Sequence, residues 1–128
     1  MSRFSFLVSS LLILLTYTAT AQTDQQSYQV QIQDGIDLFE KGLYAEALPY
    51  FERAKEQLGS EIHAETAHFF WVRTLTRIDS AATDHYVDRF VQTNPTSHRS
   101  SRLLREVADQ HLKRGELQDA ILRMDEAL

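Results

Sequence analysis

The sequence predicts an all-α fold, an α-α superhelix of about three antiparallel helix pairs after a signal peptide. Apolar residues at Ala47, Phe51, Ala54 and Leu58 step by four, three and four, which puts them on one face of a helix with 3.6 residues per turn. Similar helical stepping recurs at Leu104, Val107, Ala108 and Leu112, and again at Leu117, Ala120, Met124 and Ala127. Past residue 23 only Pro49 and Pro95 interrupt the chain, glycines divide it into segments of helical length, and no segment alternates as a strand does.

The N-terminal element comes first. Arg3, the apolar run from Phe4 to Leu15 and the small-residue stretch Thr18-Ala19-Thr20-Ala21 form the charged, apolar and A-x-A sections of a secretory signal peptide over 1–21. Cleavage after Ala21 is expected to leave Gln22 first. The rival reading, an uncleaved membrane anchor, meets a run of only a dozen residues where a bilayer core needs about 20. Residues 22–27 (Gln-Thr-Asp-Gln-Gln-Ser) carry too little apolar surface to pack and are expected to be flexible.

The helical domain is expected over 28–128, the first helix fraying back to about 26. Its six helices are placed at 26–41, 45–58, 61–78, 81–93, 98–114 and 117–128. Within pairs the turns fall at Lys41-Gly42-Leu43, Asp79-Ser80 and Arg114-Gly115-Glu116. Gly42 and Gly115 suit the left-handed conformation that ends a helix, where a Cβ is penalised. Between pairs the breaks are Gly59-Ser60 and Asn94-Pro95-Thr96-Ser97. Pro49 is expected in the first turn of the second helix, where no intrahelical bond is lost.

Composition narrows the function classes. The 128 residues are 43% hydrophobic and 24% charged, the balance of one soluble domain. Removing Arg3 with the signal peptide leaves 12 basic against 18 acidic residues, a net of −6. Nucleic-acid binding draws on clustered Lys and Arg, so this balance argues against it. The acidic excess forms no block and reads as a solvated surface. Cysteine is absent, which excludes thiol chemistry, Cys-based zinc sites and a lipidated cysteine after the signal peptide.

An internal repeat organises the helices. Gly42, Tyr44, Ala47, Phe51 and Ala54 stand against Gly115, Leu117, Ala120, Met124 and Ala127 at identical spacings, offset by 73 residues. Seven residues before each turn glycine comes another small residue, Gly35 and Ala108. The pattern resembles the tetratricopeptide repeat, in which small residues let paired helices approach and large ones fill the space between pairs. Two repeats of about 34 residues fall short of that offset by about five, so the middle pair is longer and degenerate. Trp71, Leu75 and Ile78 are expected to line its first helix and Ala82, Tyr86 and Phe90 its second, with Thr83 near the place of a small alanine.

The stretch Tyr86-Val-Asp-Arg-Phe90-Val-Gln-Thr-Asn-Pro95-Thr-Ser97 resembles the helix end and loop of outer-membrane assembly proteins of the β-barrel assembly type and of Tol-Pal coordinators. The resemblance covers about residues 30–128 and departs from the assembly lipoproteins at the missing cysteine. It implies an envelope protein that holds other proteins. Ala120, Met124 and Leu128 give the last helix an apolar face, where the terminal repeat of an array needs a polar one. Either the repeats continue beyond Leu128 or these residues dock on a partner, a second copy included.

Candidate chemistry is sparse. His63-Ala-Glu65-Thr-Ala-His68 is near a zinc-protease motif, but its histidines are five apart and diverge by roughly 140° on a helix, so they do not share a metal. Asp84, His85 and Asp88 fall within one turn, where a carboxylate beside a histidine can tune a proton acceptor; an exposed polar face explains them as well. Arg99, Arg102, Arg105, Lys113 and Arg114 give the fifth helix a positive character suited to an acidic peptide or a carboxyl terminus, or to a solvated face. Phe69, Phe70 and Trp71 read as core, with Trp71 alternatively an aromatic anchor for a partner. No phosphate loop, nucleotide fingerprint or Ser-His-Asp order appears, and no cofactor is expected.

The expected function is therefore a non-enzymatic protein-protein interaction scaffold, exported across the inner membrane to the periplasm or outer-membrane periphery. Its partner would be an envelope protein or peptide bound through Arg99, Arg102, Arg105 or Trp71. Alternatives are a self-assembling structural module using the last helix, the N-terminal part of a larger repeat protein, or an enzyme accessory domain built around His63, His68 or His85.

Overall fold

The computed structural model describes residues 26–57, 61–79 and 83–128. The signal-peptide expectation, residues 22–25, Leu58, the Gly59-Ser60 break, Ser80 and Ala82 lie outside the described residues. Those described form six helices and no strand: α1 (26–40), α2 (Tyr44–Gln57), α3 (Glu61–Ile78), α4 (Thr83–Thr93), α5 (His98–Arg114) and α6 (Leu117–Glu126). The all-α expectation holds. None of the described helices is long and apolar enough to cross a membrane.

The turns after α1 and α5 are built alike. Gly42 and Gly115 adopt φ of 76° and 80°. In each turn the glycine N–H donates three residues back, to Phe39 O or Leu112 O, and the next N–H donates five back, Leu43 to Leu38 and Glu116 to His111. This double bond satisfies carbonyls that a helix end otherwise leaves unpaired. A Cβ at either glycine would meet nothing within 4 Å, so the requirement is conformational rather than spatial.

Between α4 and α5 the Asn94-Pro95-Thr96-Ser97 loop is closed by its own side chains. Asn94 Nδ2 donates to Phe90 O at 3.1 Å, and Ser100 Oγ donates to Asn94 O at 2.6 Å. Ser97 caps α5, its hydroxyl accepting from Arg99 N at 3.2 Å.

Pro49 departs from expectation. Helix α2 begins at Tyr44, so the proline sits in its second turn and deprives the Ala45 carbonyl of its partner. Both residues face solvent, where water can hydrate that carbonyl, and the buried side of the helix is undisturbed. The last helix also ends earlier than expected, at Glu126.

Two apolar clusters share α3. One gathers Ile32, Phe39, Ala47, Phe51, Ala54 and Ala67; the other gathers Phe69, Val72, Val87, Phe90, Leu103, Leu104, Val107 and Ala127. Phe70 and Trp71 pack against both, making α3 the element that joins the two ends of the domain. Gly35 marks a close approach of α1 and α2, since a Cβ there would lie 2.8 Å from Phe51 Cε1 and 3.0 Å from Tyr50 Cβ.

Candidate interaction surfaces

The expected packing residues divide. Gly35, Ala47, Phe51, Ala54, Ala108, Ala120 and Ala127 are buried, and Tyr44 is half-buried. Leu117 and Met124, expected to pack, are instead 61% and 40% exposed, and Leu112 and Ile78 are also exposed. The repeat puts Leu117 and Met124 on an apolar face, and the middle pair is expected to pack Ile78, but a face is covered only where another element lies over it, and none of the described helices fully covers these.

The arginines expected to receive a partner are partly committed within the protein. Arg99 Nη1 lies 3.4 Å from Glu65 Oε1, and Arg102 Nε lies 3.3 Å from Glu106 Oε1. Their guanidiniums lie 5.7 and 5.8 Å from the Phe69 ring. Arg105 is exposed. Ser97 Oγ also donates to Glu65, and this hydrogen bond, against the opposing effect of burial and with the help of Arg99, lowers the Glu65 pKa. The arginines thus fasten α5 to α3, by Arg99 and Glu65, as much as they present charge.

Trp71 is not part of that arginine face. Two residues after Phe69, it points roughly 200° around α3. Its ring meets Tyr86 edge-on at 5.2 Å and carries Lys55 Nζ 4.3 Å from its centroid. Its buried Nε1 has no hydrogen-bond partner among the described residues.

The histidines singled out by sequence are separate. Gln29 Nε2 donates to His63 Nε2 at 2.7 Å, while His68 packs against Phe90 and Trp71 at 5.1 and 5.9 Å. Burial, then the charges of Lys55 and Arg89, lower the His68 pKa and favour its neutral form. His85 is exposed, its ring 5.5 Å from Tyr86, and its neighbours Asp84 and Asp88 turn elsewhere.

Where they turn is a group that the sequence reading missed. His111, only 4% exposed, sits on the core face of α5 beside Val107 and Ala108. Its Nδ1 lies 2.5 Å from Glu116 Oε2 and its Nε2 lies 3.2 Å from Asp84 Oδ1. Arg123 Nη1 is 2.5 Å from Asp88 Oδ1 and 3.0 Å from Glu126 Oε2. Burial opposes the charge of Arg123, but Asp88, Glu126 and Asp84 outweigh it and raise its pKa. His111, Arg123, Asp84, Asp88 and Glu126 line an open groove of about 600 Å³ between α4, α5 and α6, with Val91 and Leu122 as apolar wall. Spacing alone held the signal for His111, which follows Val107 and Ala108 by four and three residues.

Among the described residues, ligand atoms of His111, Glu116 and Asp119 lie within 4.8 Å of one another. Arg114 Nη2 is 2.9 Å from His111 Nδ1 and 3.0 Å from Glu116 Oε2, so a guanidinium already supplies the positive charge there. The arrangement ties α4, α5 and α6 together electrostatically. No family model, no curated protein and no solved structure matches the chain.

Proposed function

We propose that this chain is a non-enzymatic protein-binding scaffold of the tetratricopeptide type, working in the bacterial cell envelope after export. The observation that carries this reading is the duplicated hairpin. The turns at Gly42 and Gly115 repeat the same hydrogen bonds, and the small residues Gly35, Ala47 and Ala54 recur as Ala108, Ala120 and Ala127, all buried, at one constant offset. Repetition of a hairpin that packs only on its neighbours is how solenoids build extended binding surfaces. The signal-peptide pattern supports the envelope location, and the acidic balance supports a protein rather than a nucleic-acid partner.

A photo-crosslinking residue placed in living cells at exposed positions 53, 105 and 121 tests the reading, with fractionation of the same cells. Discrete adducts of defined mass in the periplasmic or outer-membrane fraction are the expected result. A protein that stays in the cytoplasm, or that gives no adduct from any of the three positions, overturns it.

A further inference from the structure

The 73-residue offset pairs more than turns and small residues. Phe39, Tyr44, Leu48 and Phe51 of the first hairpin correspond to Leu112, Leu117, Ile121 and Met124 of the last. In the first hairpin these positions are covered: Phe39 is 8% exposed, Phe51 is fully buried, and Tyr44 and Leu48 are half-buried. In the last hairpin the same four are 47%, 61%, 53% and 40% exposed. Local pattern and turn geometry are shared, so the difference is whether one of the described helices lies over the face.

The protein itself shows what covers such a face. Helix α3 lies over α1 and α2: Phe70 stacks on Phe51 at 5.4 Å and meets Phe39 edge-on at 5.7 Å. Ala67, one turn earlier, is fully buried in the same cluster. Arg73, one turn later, holds its guanidinium 4.8 Å from the Phe39 ring. The N-terminal half of α3 runs beside the N-terminal half of α1, where His63 meets Gln29.

The two hairpins differ at that N-terminal end. Ile32, buried in the first, corresponds to exposed Arg105, and Gln29 corresponds to exposed Arg102. A helix lying on the last hairpin as α3 lies on the first therefore meets an apolar row in its C-terminal half and two arginines in its N-terminal half. An acidic first turn would complement both the arginines and its own helix dipole.

We propose that the outer face of α5 and α6, formed by Leu112, Leu117, Ile121 and Met124, docks an amphipathic α-helix of a partner protein, acidic in its first turns and carrying a small residue one turn before an aromatic. This deepens the scaffold reading by naming a face and the chemistry of its occupant. The mode is helix-in-groove recognition, with an aromatic anchor set among aliphatic side chains.

A synthetic peptide of residues 61–78, the chain's own α3 supplied in trans, is the probe. It carries Glu61 and Glu65 early, then Ala67 and Phe70. Titrated into the purified full chain and followed by methyl resonances, it is expected to shift Leu112, Leu117, Ile121 and Met124. Ile121→Asp and, independently, Leu117→Asp change exposed positions and should leave the melting temperature unchanged while weakening binding about tenfold or more. A peptide carrying Phe70→Asp should not bind. Four outcomes overturn the proposal: no shifts at millimolar peptide; binding indifferent to both variants, as when the peptide displaces the chain's own α3; a dimer joined through this row before peptide is added; or Ile121-dependent binding to phosphatidylglycerol vesicles without peptide binding. Loss of the peptide interaction with crosslinks retained elsewhere in cells would remove this face and leave the scaffold reading standing.

Discussion

His111 of α5 reaches Asp84 of α4, Nε2 to Oδ1 at 3.2 Å, while its other ring nitrogen meets Glu116 at the start of α6. One nearly buried ring thus links α5 to α4 and to the start of α6, and its Nδ1 also faces the Arg114 guanidinium at 2.9 Å. At the equivalent position the first hairpin carries Leu38, half-buried and apolar.

Replacing that ring separates packing from polar contact. His111→Ala removes both and is expected to lower the unfolding free energy by about 2–3 kcal/mol. His111→Leu restores volume, and because Asp84 and Glu116 are 45% and 42% exposed, water can take over their hydrogen bonds. Its loss should therefore stay within about 1 kcal/mol. Urea denaturation of both variants checks this, and equal losses would show that the polar contacts, not the volume, hold α4 to α6.

Gly35 and Phe51 form a size-matched pair whose counterpart is Ala108 and Met124. Gly35→Ala gains helix propensity of about 1 kcal/mol. It also drives a methyl to 2.8 Å from the Phe51 ring, and overpacking of this kind costs about 1–3 kcal/mol. A net loss of stability is expected, recovered in large part by adding Phe51→Met, which recreates the pairing of the last hairpin. A double-mutant cycle by chemical denaturation measures the coupling; additive effects would mean the two residues do not share that space.

Arg73 is 8% exposed and grips Glu106 with two bonds, Nε to Oε2 at 2.9 Å and Nη2 to Oε1 at 2.8 Å. Its guanidinium also lies within 5.6 Å of the Phe39, Phe69 and Phe70 ring centroids. Arg73→Ala should cost about 3 kcal/mol, through lost packing as well as the broken pair. Arg73→Lys should recover only part of it, because an ammonium cannot form the planar fork. Thermal unfolding of the two variants would give the ranking.

Two of the groups whose pKa is lowered in the folded state, His68 and Glu65, give separable responses to acid. The unfolded chain takes up a proton on His68 near its ordinary value of 6.5, while burial lowers the pKa in the folded state. The unfolded state therefore binds more protons, and this contribution to stability is complete above 6.5 and lost as pH falls toward the lowered folded value. Glu65 follows the same sign lower down: the Ser97 hydrogen bond and Arg99 lower its pKa from 4.5, so its contribution is complete above 4.5 and lost as pH falls through the lowered value. Melting temperatures from pH 8 downward should fall less steeply below 6.5 in His68→Leu, and less steeply below 4.5 in Glu65→Gln, than in the unsubstituted protein. Parallel curves would show that neither group titrates differently in the folded state.

The helices, their turns and the duplicated hairpin were legible in the sequence because each is set locally. Periodicity of 3.6 aligns Ala47 with Phe51, a left-handed turn calls for Gly42 and Gly115, and Ser97 can cap α5 from its own loop. The sequence did not announce His111 or Arg73 as buried, since a polar side chain on an apolar face has partners only where distant segments bring Asp84, Glu116 or Glu106.

The clearest boundary between the two kinds of information runs through Phe51 and Met124. They occupy the same place in the same repeated pattern, with the same small residues on either side, and the sequence by itself determined that both would face off an apolar helix. Only the tertiary structure decided that Phe51 is fully buried and Met124 is 40% exposed. Burial is a property of what lies opposite, and Phe70 of α3 lies opposite Phe51, whereas none of the described helices lies opposite Met124.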